Sequence, residues 1–306
     1  MADDWVLVKP KRGQKARKYI VSSSPDKSKA QYRVEESKPA STASIEEIVA
    51  AIRGLGAELK KTLFYQHLTS TLQEFKGGIS GREMGRIVQI VVLGVGDFTR
   101  GANRHCMMLQ MALLSCLLEE EKVDTVDEKK CYFYDPICDE KELDVCAALG
   151  LKILPKEMHG KFEVKRGAED NPGDITLFFM PHCPYSLYCH ILWRNWHCLE
   201  AVGILGNSFN SYSLTRQACR GSEDDTAADC VRLVEAWCME QEVWKDDHAS
   251  SKVCKNGAKL QYLEGAFTHT SLMHYRTKGA FIPVRPPEAE VDAWCRRNDP
   301  EYIGNA

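Results

Sequence analysis

His182 and Cys183 are the sharpest chemical pair in this 306-residue chain. A thiolate is both nucleophile and metal ligand, and a helix N-terminus or a nearby cation lowers the thiol pKa enough to form it. Cys183-Pro184 leads into an aromatic-rich stretch, Tyr185–Leu199, read as a helix, so the thiol stands at a helix entrance. Adjacent residues on an extended chain point to opposite sides, so the His182 imidazole need not reach it. A nucleophile, a metal ligand and a plain structural loop are all open readings of the pair.

Three further groups could bind. Gly94-Val95-Gly96 permits a tight turn and close approach of a ligand to the backbone, and helix amides after it could hold a phosphate or carboxylate. The third glycine of a dinucleotide fingerprint is missing, because Thr99 stands there, and Asp97 adds negative charge. Ordinary NAD binding is therefore weakly signalled. Asp135 ends an apolar run where an acid would hold a ribose hydroxyl, as for S-adenosylmethionine or NAD, or where Asp-Pro simply starts a turn. Tyr188, Asn207 and Ser208 offer hydrogen bonds near the second of two strand ends.

On the helix after Cys183, Cys189, Trp193 and Trp196 share one face and His190, Arg194 and His197 another. The tryptophan face reads as core. The second reads as solvated or anion-facing, with His190 and His197 joining His182 and Cys183 as weak metal candidates. Cys183-Pro184 also matches a short motif of haem-responsive proteins, but with 13 cysteines and 12 prolines about half such a pair is expected by chance in a chain this long. No CxxC pair, nucleophile elbow or P-loop is present.

Positioning these residues requires a sheet. Continuous apolar runs predict buried parallel strands at Ile87–Leu93, Cys131–Tyr134, Leu151–Leu154, Ile175–Met180 and Ala201–Leu205, alternating with helices over Ala102–Glu121 and Asp139–Leu149. The pattern predicts a Rossmann-like, doubly wound, mostly parallel α/β sheet. In the common order 3-2-1-4-5 the first and fourth strands are neighbours, and ligands bind past their carboxyl ends. The loops carrying Gly94, Asp135, Cys183 and Asn207 would then converge. Ser44-Ile-Glu-Glu47 is a capping box opening an N-terminal helix, a second helix covers Lys61–Phe75, and Gly77-Gly78 then breaks the chain. Thr226–Gln241 reads as an amphipathic helix and Ala266–Tyr275 as a strand.

Residues 1–40 carry ten Lys/Arg against five Asp/Glu, so +5 of a total of −3 lies there and the remainder is −8. That segment reads as a disordered basic tail, and its Lys9–Lys18 stretch could serve nuclear import or touch RNA. The acidic body gives nucleic-acid binding little support. The expected organisation is tail 1–40, N-terminal helices 41–80, the α/β domain 81–285 and a C-terminal extension 286–306. No run approaches the ~20 apolar residues needed to span a bilayer, and no signal core opens the chain, which predicts a reducing cytosolic or nuclear setting with free thiols.

The stretch MPHCPYSLYCHILWRNW followed by GILGNSFNSY resembles the signature of the sensitivity-to-red-light-reduced, or SRR-like, family. Leu93-Gly-Val-Gly with Gln110, and Tyr134-Asp-Pro with Glu142, resemble the same domain, over about residues 85–275. Leu93 stands where an aromatic is common, and Cys189-His190 where small or amide residues are usual. The resemblance implies a cytoplasmic and nuclear regulator, linked to light signalling and circadian rhythm in plants and to haem biosynthesis and clock-gene expression in animals. The animal branch is the better fit. It carries over no catalytic residues. The readings in play are a regulator binding a protein partner or small ligand, a methyltransferase-like enzyme using S-adenosylmethionine or NAD, and a haem or metal sensor.

Overall fold

A seven-stranded sheet whose central strands send alternate side chains into two cores organises the chain. The computed structural model describes residues 43–80, 85–100, 103–121, 130–158, 161–165, 173–212, 227–245, 260–276 and 283–298. The basic tail read over residues 1–40 lies outside the described residues.

Helices α1 (Ile45–Leu59) and α2 (Leu63–Ser80) precede strand β1 (Arg86–Leu93). Then come α3 (Arg104–Glu121), β2 (Cys131–Tyr134), α4 (Glu140–Ala148), β3 (Lys152–Ile153), β4 (Asp174–Met180), α5 (Tyr185–Arg194) and β5 (Val202–Asn207). Strands β6 (Cys238–Glu242) and β7 (Thr270–Tyr275) and a helix at Glu288–Asn298 follow. The sheet order is β3-β2-β1-β4-β5-β7-β6. The first five run parallel, β7 is antiparallel to β5, and β6 is antiparallel to β7. The fold is mixed α/β with a mostly parallel sheet, and the expected 3-2-1-4-5 order is present.

Successive side chains enter opposite cores. Ile90, Val92, Leu177, Phe179, Leu205 and Leu272 pack with α1–α4. Val91, Leu93, Phe178, Met180, Ile204 and Met273 pack with α5 and the Glu288–Asn298 helix. A register shift between Ile87 and Gln89 resets the alternation, so Ile87 and Ile90 enter the same core although three apart. Every residue of β4 is buried, as expected of a central parallel strand.

Local signals set several ends. Ser44 and Glu47 form the reciprocal capping box at α1, and Asp139 and Glu142 form another at α4. The α1–α2 layer shares its core with the sheet, and Val291, Trp294 and Cys295 of the last helix join the second core.

Four elements differ from expectation. Of the described residues within 226–241, only Cys230–Val234 are α-helical; a 3-10 turn follows, and Cys238–Glu242 is a strand. Pairing with β7 overrides the poor strand preference of Met-Glu-Gln-Glu. Ala266 and Phe267 end a short helix, and the strand starts only at Thr270. Helix α5 stops at Arg194; a 3-10 segment with a non-helical Cys198 follows. Helix α2 runs through Gly77-Gly78 to Ser80, since each glycine costs a helix only about 1 kcal/mol.

Candidate functional site

Five chain segments meet past the carboxyl ends of β1, β2, β4 and β5. The turn after β1 is tight because Gly94 and Gly96 adopt φ of 65° and 86°, which favour glycine. Gly94 also has no room for a side chain, since a Cβ there would lie 2.7 Å from the Cys183 sulfur. The Gly94 N–H donates to the Tyr134 carbonyl at 3.2 Å. Loop β1 thus rests on the ends of both of its neighbours.

Asp135 is buried and receives the Gly96 N–H at 2.6 Å and the Ile137 N–H at 3.0 Å. Burial raises its carboxyl pKa, the two N–H donors oppose that rise, and the Asp97 charge adds to it. Asp97 accepts from Arg100 N–H at 2.7 Å and pairs with the Arg100 guanidinium at 2.9 Å. Burial alone would raise the Asp97 pKa, but its hydrogen bond with Glu142 and its bonds to Arg100 leave it lowered.

Glu142 is fully buried. Its carboxylate receives the Thr99 N–H at 2.9 Å and the Thr99 hydroxyl at 3.1 Å. The same N–H reaches Asp97 at 3.2 Å, so both acids converge on one amide. Burial, then the shared hydrogen bond with Asp97, push Glu142 up to about 7. Asp97 is thus driven toward its charged form and Glu142 toward its neutral one. Glu142 was visible in sequence only through the family resemblance; its Asp139-x-x-Glu142 capping box was the local signal.

The Cys183 thiol is buried and donates to the Leu93 carbonyl at 3.2 Å. Burial, with a contribution from Asp135, raises its pKa well above the usual thiol value. That direction is opposite to what a helix entrance alone would give. His182 takes a left-handed φ of 55°. Its N–H donates to Asn207 Oδ1 at 2.8 Å, and its ring Nε2 lies 3.0 Å from the Ala266 carbonyl. The adjacent side chains therefore serve different partners.

Asn207 ends β5 and ties the far side together. Its amide donates to the Tyr212 hydroxyl at 2.7 Å, and that hydroxyl donates to the Cys183 carbonyl at 2.8 Å. The Asn207 N–H donates to the Tyr188 hydroxyl at 2.9 Å, which in turn donates to the Met180 carbonyl. Tyr188 is fully buried, and a Cβ on Gly206 would meet its oxygen at 2.6 Å. Ser208 donates its N–H to the His269 carbonyl at 2.7 Å and receives the Ser211 N–H at 3.1 Å. His269, also at positive φ, was not anticipated from sequence.

The histidine stripe separates. His190 is buried with Nε2 2.8 Å from Asp292, and burial lowers its pKa, opposed by that acid. His197 is exposed. Among the described residues no group of three or more His, Cys, Asp or Glu side chains is placed to hold a metal ion. None of the described helices is long and apolar enough to cross a membrane.

Chemically, the arrangement is a set of mutually satisfied loops. The amides at Gly96, Thr99 and Arg100, which an anion would seek, already face carboxylates of the chain. Burial favours the neutral thiol at Cys183 and the neutral acid at Glu142.

The comparisons with known proteins agree with this domain. The mouse (Mus musculus) SRR1-like protein is 35% identical over 124 residues, covering 40% of this chain and 45% of the mouse protein. The Drosophila melanogaster SRR1-like protein is 26% identical over 215 residues, covering 70% of this chain and 69% of the fly protein. The Arabidopsis thaliana protein SENSITIVITY TO RED LIGHT REDUCED 1 is 27% identical over 127 residues, 41% of either chain. The matched stretches thus span less than half of the mouse and Arabidopsis proteins. No solved structure matches. The SRR1 domain profile covers residues 58–274, from late α1 through β7 and most of the chain, and on that match the chain belongs to the SRR1 domain family.

Proposed function

We propose that this chain is a regulatory protein whose Rossmann-like, doubly wound domain binds a small ligand or protein partner at the loops bearing Gly94, Gly96, Asp97, Asp135, His182, Cys183, Asn207 and Ser208. One observation carries the reading: the polar groups that turnover would use are engaged with one another. Asp135 holds the Gly96 amide, and the Cys183 thiol is a buried donor raised above its usual pKa. Such a network supports recognition by a preformed surface over nucleophilic chemistry. The Arabidopsis relative's name refers to red-light sensitivity. With the family resemblance, it supports a role in clock-gene expression and haem biosynthesis, in cytoplasm and nucleus, with Lys9–Lys18 as the import segment.

Asp135 at the end of β2 favours a second reading, a methyltransferase-like enzyme on S-adenosylmethionine or NAD. Thermal unfolding with S-adenosylmethionine, NAD, NADP and haemin separates the two. Ligand at about 100 times its Kd adds roughly 2.7 kcal/mol of stability. Stabilisation without consumption supports the regulatory reading. Conversion of S-adenosylmethionine to S-adenosylhomocysteine, lost in Asp135→Asn, would overturn it. A haemin Soret band unchanged in His182→Ala and Cys183→Ala removes the haem-sensor reading at this loop.

A further inference from the structure

A cavity of about 530 Å³ opens at the opposite, amino-terminal ends of the strands. Its floor comes from the amino-terminal parts of β1 (Val88, Gln89), β2 (Tyr132) and β4 (Asp174, Thr176). The segment Lys161–Lys165 forms a wall, and Arg194 closes it from the end of α5. The volume lies within the ~300–1,000 Å³ range of small-molecule sites. No rule about carboxyl strand ends would have led to it.

Its chemistry is uneven. Lys161 is tied to Glu288 at 3.0 Å, and Asp174 receives the Arg86 guanidinium through two bonds of 3.0 Å, so those charges are answered. Lys130, Lys165 and Arg194 remain, against the carboxylate of Glu163. None of the three has an acidic partner among the described residues. The Arg194 Nε is buried with no acceptor. A buried donor left unmet is costly, so an acceptor that a ligand brings to Arg194 is favoured. Beside the cations lie two rings, Tyr132 and Phe162, with centroids 5.3 Å apart. Lys152, which is outside the cavity lining, holds its ammonium 5.8 Å from the Tyr132 ring centroid.

We propose that this cavity binds a ring-bearing organic anion of about mononucleotide size. Its phosphate or carboxylate meets Arg194, Lys130 and Lys165, and its ring lies against Tyr132 and Phe162. Guanidinium and ammonium groups make charge-assisted hydrogen bonds to such oxyanions, and aromatic faces hold a planar body. The site is independent of the loops at the carboxyl ends, so either reading can fail alone.

The test is a fluorescence titration of the full chain with 8-anilinonaphthalene-1-sulfonate, an aromatic anion, using AMP and inorganic phosphate as competitors. The expected result is saturable enhancement displaced by AMP at much lower concentration than phosphate. Lys130→Glu/Lys165→Glu, which changes two exposed side chains, weakens the dye about tenfold or more at an unchanged melting temperature. Arg194→Met keeps the aliphatic stem and weakens it similarly without loss of thermal stability. Wild-type titrations in both variants, or no saturable binding by the parent chain, overturn the proposal. Equal displacement by phosphate and AMP overturns the assignment of a ring.

Discussion

Glu142 shows how much one side chain contributes when the fold places it against another acid. Its carboxyl sits at about 7 in the folded chain against an ordinary 4.5, because burial and the hydrogen bond with Asp97 favour the protonated form. The folded state therefore binds more protons than the unfolded chain between those values. Its contribution to stability is complete below about pH 4.5 and is lost as pH rises through about 7. Asp97, whose pKa is lowered, works in the other direction: its contribution is complete above its ordinary value and is lost as pH falls toward the lowered one. Melting temperatures of the parent chain and Glu142→Gln, measured from pH 4.5 to 8, should diverge in slope. The parent loses stability across the window and the amide variant loses less. Equal slopes would refute the raised pKa of Glu142. None of this was legible residue by residue: the Asp139-x-x-Glu142 spacing announces a cap, while Thr99 and Asp97 lie more than 40 positions away and meet Glu142 only through the fold.

At the scale of an element, the glycine turn after β1 was legible and its occupant was not. Two glycines after a buried strand announce a turn at positive φ, with space for something close. In the structure that something is the Cys183 sulfur. Gly94→Ala should cost about 2 kcal/mol or more, from the left-handed backbone and the collision together. In a Cys183→Ala background the collision disappears, and the added cost of Gly94→Ala falls by about 1 kcal/mol, readable by urea unfolding as a double-mutant cycle. Strict additivity of the two changes would mean that the loops do not touch. The contrast among elements has one cause. Helix α1 was readable because its cap closes within three residues. Strand β6 was misread as helix because its partner, β7, lies some 30 positions on, and pairing with it decided the conformation of a segment with weak preferences.

For the whole molecule, the two cores cannot come apart independently, because β1, β4, β5 and β7 send alternate side chains into both. Trp193, Trp196 and Trp294 report on one core and Trp244 on the other. Phe133→Ala in the first core and Phe178→Ala in the second should each cost about 3–5 kcal/mol. Both should shift one transition, with tryptophan fluorescence and far-UV circular dichroism coinciding. Two separated transitions would show that the cores are separate cooperative units. Sequence by itself determined the alternation of apolar runs and helices, the parallel core of the sheet, and the convergence of Gly94, Asp135, Cys183 and Asn207 at one edge. Those follow from periodicity and from few permitted topologies, which act locally or by general rule. Only the tertiary structure decided that the Cys183 thiol is a buried donor, that the pKa values of Asp97 and Glu142 are driven apart, and that a basic, aromatic cavity lies at the other end of the strands. Protonation and cavity shape depend on which distant groups share a small volume of low dielectric, and no spacing along the chain encodes that volume.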